Sequence, residues 1–335
     1  MSNDPFAALP AGRRDIAISA IAAVLGSTAA VNVRPVTGGV SGAGVFLVVA
    51  SHRRFVLRLE GQPSPLRNPH QYDSMRIAAE AGLAPRIHYL DASDRVVMMD
   101  FIEDRRLESH PGGPLGLAQV TGALLNQLRG LPPFPGFMDY PDIVGRLWTH
   151  VCKTGLFADG VLDAASQRLA DIRKSYVLDT SAYVSSHNDF LPRNLLFDGK
   201  RLWLIDWENA FRDDPLIDLA TALDNFAPSP ELEEVLLRAC LGRAPDRQLR
   251  ERLALARALT RLFYAGVLFS ASAAAPRARP DADLSALTAA EFERLIRERQ
   301  LLPETPPTSH ALGKMYLASF LSGIVPPGLP PLYMR

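Results

Sequence analysis

The sequence predicts an α+β protein with two lobes: a small, antiparallel β-rich lobe in residues 1–100 and a larger, mostly helical lobe in residues 101–335. Two patterns lead to this division. Five short apolar runs lie within the first hundred residues, and glycine-rich or turn-forming segments separate several of them, as is typical of strands. Beyond them, apolar residues recur at the three- and four-residue spacing of amphipathic helices. The length of 335 residues also allows two lobes, because single hydrophobic cores stop growing at roughly 250–300 residues.

The first lobe is predicted to begin with a helix and to continue as a sheet with one inserted helix. Apolar residues in segment 16–25 fit one face of a short helix that ends at Gly26. The pair Arg13-Arg14 before this run also resembles a twin-arginine export signal, but Asp15 interrupts that pattern, so we favour the helix. The predicted strands are residues 31–36, 45–50, 55–59, 86–90 and 96–99, and the inserted helix is residues 69–81.

A glycine-rich segment lies between the first two predicted strands. Four of the seven residues from position 38 to position 44 are glycine, so backbone N–H groups can approach phosphate oxygens without obstruction. A Walker-type loop would instead open a helix and end in Gly-Lys-Ser/Thr, and that sequence does not occur here. We therefore predict a hairpin loop that contacts phosphate groups through Gly38, Gly39, Ser41 and Gly42.

Most of the elements predicted in the second lobe are helices. Proline and glycine clusters such as segment 131–136 separate them. The arginine-rich stretch 247–261 has leucine and alanine at helical spacing, which indicates a solvated helix face rather than a nucleic-acid patch. The predicted helices are residues 115–129, 140–153, 162–175, 232–241, 247–272, 286–300 and 314–321.

The composition excludes several classes of function. The chain has 36 basic and 36 acidic residues, so its overall charge favours neither nucleic acid nor an anionic membrane as a partner. Its two cysteines, Cys152 and Cys240, lie far apart, which predicts neither a zinc site nor a disulfide framework and fits a reducing cytoplasm. No uninterrupted apolar run reaches the roughly 18 residues that a membrane span needs.

A polar motif near the middle of the chain carries the strongest functional signal. Asp189 and Asn194 are five residues apart, and Asp206 follows twelve residues after Asn194. Strand-like runs flank these residues, and Asp198-Gly199 is a strong signal for a two-residue hairpin turn. Such a hairpin would bring Asn194 and Asp206 to the same end. Phosphoryl transfer from ATP requires an acceptor for a hydroxyl proton and hard oxygen ligands for magnesium, and these residues supply both.

The motif resembles the protein-kinase pattern H-x-D-x-x-x-x-N, here beginning at His187, with a metal-binding Asp downstream. In place of Asp-Phe-Gly the chain has Asp206-Trp207-Glu208, which resembles the aminoglycoside phosphotransferase and choline/ethanolamine kinase families. The resemblance implies a protein-kinase-like fold, ATP and Mg²⁺ as cofactors, and a hydroxyl group of a small molecule as acceptor. It also implies that Asp189 receives or orients the hydroxyl proton and that Asn194 and Asp206 hold magnesium.

The third predicted strand carries Arg58 where the resemblance to protein kinases implies a phosphate-binding lysine. The sequences V-L-R-x-x-G at 56–61 and A-A-E-A-G-L-A-P at 78–85 resemble the bacterial choline kinases. In that family a glutamate early in the following helix pairs with the strand cation, but this chain has Gln71 at the corresponding position. Glutamine can accept a hydrogen bond from Arg58 without neutralising it, so Asp73 is the alternative partner.

The same resemblance assigns three supporting roles. Asp100 and Ile102 would lie in the hinge whose backbone meets the adenine edge. His187 would brace the catalytic loop, and Asp218 would anchor it. Arg193 either contacts a phosphate or pairs with an acidic neighbour.

The acceptor stays open between a choline- or ethanolamine-like alcohol and an aminoglycoside or amino sugar. Each of these is a cation, which aromatic faces and carboxylates would bind. Trp207, Glu208 and Asp213 are the favoured substrate residues. The wider candidate set is Trp207, Glu208, Phe211, Asp213, Asp214, Asp224 and Tyr264.

Two other functions are alternatives. A catalytically weak, nucleotide-binding pseudokinase with a regulatory role is consistent with Gln71 and with Arg58 in place of lysine. A protein kinase is disfavoured because only twelve residues separate Asp206 from Asp218, too few for a peptide-docking activation segment.

Overall fold

The structure is a computed structural model that describes residues 4–28, 30–36, 44–61, 68–275 and 279–323. The chain divides into two compact units. The first consists of Met1–Arg106 and Leu196–Ala210, and the second of Leu107–Leu195 and Phe211–Arg335. The predicted fold class is confirmed, since the first unit is built on an antiparallel sheet and the second is mostly helical.

An antiparallel sheet of five strands forms the centre of the first unit. In chain order the strands are β1 (Val31–Pro35), β2 (Gly44–Ala50), β3 (Arg53–Leu59), β4 (Ile87–Asp91) and β5 (Val96–Asp100). They lie in the order β1-β2-β3-β5-β4, with Phe46 opposite Leu57 and Val56 opposite Met99. On β3, Phe55, Leu57 and Leu59 are buried in one apolar cluster, which fixes the register because a slip of one residue would expose them.

Two helices pack in the first unit. Helix α1 (Arg14–Leu25) contributes Ala17, Ala20 and Ile21 to the same core and ends at Gly26, which has a left-handed φ of 71°. Glycine adopts that conformation without steric cost, as the sequence predicted. Helix α2 is Gln71–Glu80.

Within its described residues, the second unit consists mostly of eight α-helices. They are α3 (Gly113–Arg129), α4 (Tyr140–Lys153), α5 (Asp163–Ser175), α6 (Leu216–Phe226), α7 (Pro230–Leu241), α8 (Arg247–Ala273), α9 (Ala289–Arg297) and α10 (Pro306–Ser322). Helix α8 is long and apolar enough to cross a membrane by length and composition alone. However, 67% of the relevant window is buried inside the structure, as in the core helix of a globular unit.

The described residues near the polar motif in sequence also form four short strands. They are β6 (Val184–Ser186), β7 (Leu195–Phe197), β8 (Leu202–Leu204) and β9 (Phe211–Asp213), with β6 paired to β9 and β7 paired to β8. The predicted turn between β7 and β8 is present, with Gly199 at a φ of 94° and the Asp198 N–H donating to the Arg201 carbonyl over 3.3 Å.

Candidate active site

In the second unit, a buried carboxylate accepts hydrogen bonds from the backbone of the loop that follows β6. Asp218, near the start of α6, accepts the backbone N–H of His187 and that of Asn188, each over 2.7 Å. Burial raises the pKa of Asp218, and the His187 ring and these two N–H groups lower it in part. Asn188 has a left-handed φ of 59°, a conformation that costs energy outside glycine and persists where the surroundings enforce it.

Asp189 is held by three side chains. Its Oδ2 accepts Arg193 Nη2 over 2.9 Å and Asn194 Nδ2 over 2.8 Å, and its Oδ1 accepts the Tyr264 hydroxyl over 3.1 Å. Only 4% of Asp189 is exposed, so its orientation is set by these donors rather than by water. Arg193, whose role the sequence left open, pairs with the acidic neighbour.

Tyr264 is a residue of this constellation whose position next to Asp189 the sequence did not predict. It lies on α8, 75 residues from Asp189, and burial raises the pKa of its hydroxyl well above the ordinary value. It therefore stays protonated and donates to the carboxylate. No local motif could have revealed it, because the contact depends on how α8 packs.

A second group of acidic residues lies deeper in the same unit. Asp213 is fully buried, and burial, followed by the nearby Asp214 and Asp218, raises its pKa well above the ordinary value. Asp214 accepts the Tyr176 hydroxyl over 2.9 Å and Arg252 over 3.3 Å. Asp213 is thus placed inside the unit rather than on a surface that a substrate could reach, which argues against its predicted substrate role.

Asp224 also departs from the predicted cation pocket. It accepts Arg257 Nε over 2.6 Å and Arg261 Nε over 2.7 Å, and Arg257 pairs in turn with Glu233 over 2.7 Å. Two arginines already neutralise this carboxylate, so it braces α6 against α8.

In the first unit, Arg58 lies beside two carboxylates. Its Nη2 is 3.0 Å from Asp206 Oδ1 and 3.6 Å from Glu60 Oε1, and 8% of the residue is exposed. Burial would lower the pKa of Arg58, but Asp206 and Glu60 outweigh it and raise that pKa, so the guanidinium is charged. Within the residues that the structure describes, Arg58 Nε is buried without a hydrogen-bond partner.

Asp206 lies just after β8 with a left-handed φ of 66°. The backbone turns sharply there into a 3-10 segment, Trp207–Asn209. The Trp207 indole is buried and donates to the Leu204 carbonyl over 3.3 Å, so its faces pack in the core and do not form a cation cage. Glu208 is half-buried and contributes to the raised pKa of Arg58.

The two predicted partners of Arg58 from α2 contact other groups. Gln71 Nε2 donates to Glu60 Oε2 over 2.5 Å, rather than accepting from Arg58. Asp73 is exposed and pairs with Arg76 over 3.2 Å. The acid beside Arg58 on the strand side is Glu60, a residue to which the sequence analysis gave no role.

The remaining predicted nucleotide contacts lie at the end of β5 and in the glycine-rich loop. The Asp100 N–H already donates to the Arg86 carbonyl over 2.9 Å, and its carboxylate bonds the His88 ring over 2.7 Å. Ile102 follows, half-buried and outside any strand. Gly38, Gly39, Ser41 and Gly42 lie outside the described residues.

Asn194 of the second unit and Asp206 of the first unit each carry an oxygen atom of a type that suits a hard divalent cation. Asn194 uses its amide nitrogen on Asp189, through both the carboxylate and the backbone carbonyl, which directs the amide oxygen elsewhere. Asp206 offers a carboxylate, and oxygens of both types are ligands that Mg²⁺ accepts. Among the described residues, no three or more His, Cys, Asp or Glu side chains are grouped so that they could hold a metal ion.

Comparison with known proteins supplies the family. Residues 32–256, well over half of the chain, match the family model described as phosphotransferase enzyme family. The chain belongs to this phosphotransferase family. The predicted relationship to aminoglycoside phosphotransferases and choline kinases is therefore confirmed.

Two relatives in sequence are both named protein LicA, from Haemophilus influenzae. One is 36% identical over 193 residues, covering 55% of this chain and 70% of the relative. The other is 27% identical over 209 residues, covering 60% of each chain. The match to the latter therefore spans three fifths of that relative's length.

Solved structures share the fold at lower sequence identity. A choline/ethanolamine kinase family protein from Mesorhizobium loti has a TM-score of 0.62 and 19% identity, with 93% of this chain and 98% of that one covered. Choline kinase LicA from Streptococcus pneumoniae has a TM-score of 0.64 and 15% identity, with 92% and 99% covered. An aminoglycoside-3'-phosphotransferase of type VIII has a TM-score of 0.51 and 22% identity, with 74% and 98% covered. A LicA structure in complex with AMP also matches, with a TM-score of 0.62, 15% identity, and 90% and 98% covered.

Proposed function

We propose that this protein is an ATP-dependent phosphotransferase that phosphorylates a hydroxyl group of a small cationic molecule in the cytoplasm. In this proposal residues 1–100 bind the nucleotide, and residues 101–335 supply the catalytic loop and the acceptor site. Family membership supports the reaction class, and the AMP-bound relative in fold supports nucleotide binding.

The observation that carries the proposal is the arrangement around Asp189. A general base for a hydroxyl group must be ionised and held in one orientation. Three donors hold the Asp189 carboxylate in one orientation, and Asp218 holds the backbone that precedes it. Such a carboxylate is well suited to accept or orient the proton of an attacking hydroxyl, which is one of the tasks of the protein in this reaction class.

The nucleotide phosphates are assigned to the first unit. Arg58 Nε is a buried donor without a partner among the described residues, and a phosphate oxygen would satisfy it. The glycine-rich loop would add backbone N–H groups, and Ile102 is the better hinge candidate because the Asp100 N–H is already used.

Asp206 and Asn194 would hold the magnesium ion. When bound, the ion neutralises phosphate charge and aligns the transferring group. The task of the protein is to present both oxygens: Asn194 is oriented by Asp189, and Asp206 is fixed by its left-handed backbone.

The acceptor class rests on the choline-kinase-like motifs and on the relatives named LicA, one of which is 36% identical. A choline- or ethanolamine-like alcohol is the first choice, and an aminoglycoside or amino sugar the second. Of the three favoured substrate residues, Trp207 and Asp213 are buried and Glu208 is half-buried, so Glu208 is the one that can meet a cation. The pseudokinase alternative predicts ATP binding without turnover on any alcohol.

The test is ADP release with Mg²⁺ and ATP against a panel of choline, ethanolamine, aminoglycosides and amino sugars. We expect turnover of one class by the wild type and a loss of at least about a thousandfold in Asp189→Asn, as for other key catalytic groups. Asp159→Asn, an exposed aspartate of the same unit, is the matched control and should keep wild-type activity. If Asp189→Asn keeps the wild-type rate, or if ATP binds without turnover of any compound, the proposed function is wrong.

A further inference from the structure

Glu60 is a buried acid whose backbone is held from both sides. It follows β3 directly and is 1% exposed. Its N–H donates to the Arg95 carbonyl over 3.0 Å, and its carbonyl accepts Arg13 Nη1 over 2.7 Å. A carboxylate this deeply buried is costly unless partners compensate it. Its side chain therefore has a fixed place beside the strand.

Three partners of the Glu60 carboxylate among the described residues come from β3 and α2. Its Oε2 accepts Gln71 Nε2 over 2.5 Å and the Tyr72 hydroxyl over 2.8 Å, and its Oε1 lies 3.6 Å from Arg58 Nη2. Helix α2 thus presents two donors to an acid that directly follows β3. In the arrangement that the resemblance to bacterial choline kinases implies, a glutamate on the helix would instead pair with the cation on the strand. In this chain the acid, Glu60, is on the strand side and the amide, Gln71, is on the helix.

We propose that Glu60 is the positioning residue for Arg58 and that Gln71 and Tyr72 hold it in place. The inference rests on the proposed function, because the orientation of Arg58 matters to catalysis only if Arg58 binds phosphates. Glu60 gives Arg58 Nη2 a second carboxylate besides Asp206. Arg58 can then release Asp206 when that residue takes up a cation, without leaving its own charge unpaired in a buried place.

Exchange variants test this assignment. Glu60→Gln removes the acid, and we expect it to lower kcat/KM for ATP by about tenfold to a hundredfold, the range for one hydrogen-bonded charge. Gln71→Glu should also lower it, because two carboxylates would then share a contact that is 2.5 Å long in the wild type. The double variant E60Q/Q71E restores one acid and one amide, and it should exceed both single variants. In all three, the KM for ATP should change more than the KM for the acceptor.

Glu80→Gln is the matched control, since Glu80 is an exposed acid at the end of α2 and lies outside the proposed site. Glu60→Gln with the activity of Glu80→Gln would overturn the proposal, and so would a double variant no better than either single one. Should Glu60→Gln fail to fold, Tyr72→Phe removes one bond to Glu60 and leaves the charges intact. We expect it to raise the KM for ATP about threefold to tenfold, and an unchanged KM would overturn the proposal.

Calorimetric titration with Mg²⁺ and ATP separates this inference from the proposed function. If the wild type binds nucleotide without turning over any alcohol, the proposed function fails, while the order of nucleotide affinities among the same variants still decides the role of Glu60. An affinity that falls in Glu60→Gln and returns in the double variant supports the role. Equal affinities in Glu60→Gln and Glu80→Gln overturn it.

Discussion

Removing the Tyr264 hydroxyl tests how the orientation of Asp189 is maintained. Tyr264→Phe deletes the 3.1 Å hydrogen bond to Asp189 Oδ1 and leaves the Arg193 and Asn194 bonds to Oδ2 in place. The carboxylate could then rotate about the two remaining contacts. The variant therefore removes one restraint on the base without removing the base.

The size of the effect follows from the kind of group that accepts this hydrogen bond, which is a carboxylate. A hydrogen bond to a charged group contributes about 1.5–3 kcal/mol, which corresponds to roughly tenfold to a hundredfold in rate. Because the restraint acts on the base and not on substrate binding, we expect this loss in kcat, with the KM for the acceptor nearly unchanged. The melting temperature should fall by a few degrees, since one buried hydroxyl is lost.

Steady-state kinetics and thermal melts of Tyr264→Phe and a matched control measure these effects. Tyr183→Phe is the control, because its hydroxyl also donates to a carboxylate, Asp139 over 2.8 Å, but does not touch Asp189. A Tyr264→Phe enzyme with the kcat of Tyr183→Phe would refute the reasoning, whatever the change in melting temperature.

Three further predictions concern stability. The raised pKa of Asp213 means that the folded state holds its proton more tightly than the unfolded state, so this residue costs stability as pH rises through the unfolded value of about 3.9. In thermal melts Asp213→Asn should gain stability relative to the wild type between pH 4 and pH 7, and a constant difference would contradict this sign. Asp224→Ala leaves Arg257 and Arg261 without their shared carboxylate, so chemical denaturation should show a loss of about 3–5 kcal/mol; a loss below about 1 kcal/mol would contradict the bracing role. Asp281 has a lowered pKa because a lysine and a histidine of α10 and a backbone N–H outweigh its burial, so Asp281→Asn should be less stable at pH 7 and approach the wild type as pH falls below about 4. A gap in melting temperature that is the same at pH 7 and pH 3 would refute that assignment.

The parts of the fold that depend on local sequence could be predicted. Helix α4 has the predicted bounds, and the predicted turn at Asp198-Gly199 is present, because periodicity and turn chemistry act over a few residues. Helix α10 begins at Pro306, eight residues before the predicted start. The proline pair that looks like a breaker lies in the first turn, where the missing N–H costs nothing.

Helix α6 shows a different limit. Its segment is missing from the predicted helices, yet Leu216–Phe226 forms a helix with nine buried residues. A helix that is buried on nearly all sides lacks the polar face that makes amphipathic helices visible in sequence.

The residues of the candidate site also fall into those that the sequence reveals and those that it does not. Asp189, Asn194 and Asp206 stand out because their spacing within one short segment is itself a signal. Tyr264 and Glu60 carry no such signal. Tyr264 reaches Asp189 across 75 residues, and the importance of Glu60 depends on Gln71 and Tyr72 turning toward it from α2. Contacts of this kind are set by packing, which one sequence does not specify residue by residue.

Direct observation of the product by ³¹P NMR tests the central claim most directly. Wild-type protein, Mg²⁺, ATP and choline, or whichever acceptor is consumed, should give a phosphomonoester signal that grows in step with the β-phosphate signal of ADP. Asp189→Asn should give neither signal while still binding ATP. Inorganic phosphate as the sole product, or a phosphomonoester formed by Asp189→Asn at the wild-type rate, would contradict the assignment of Asp189 as the residue that receives the acceptor's proton.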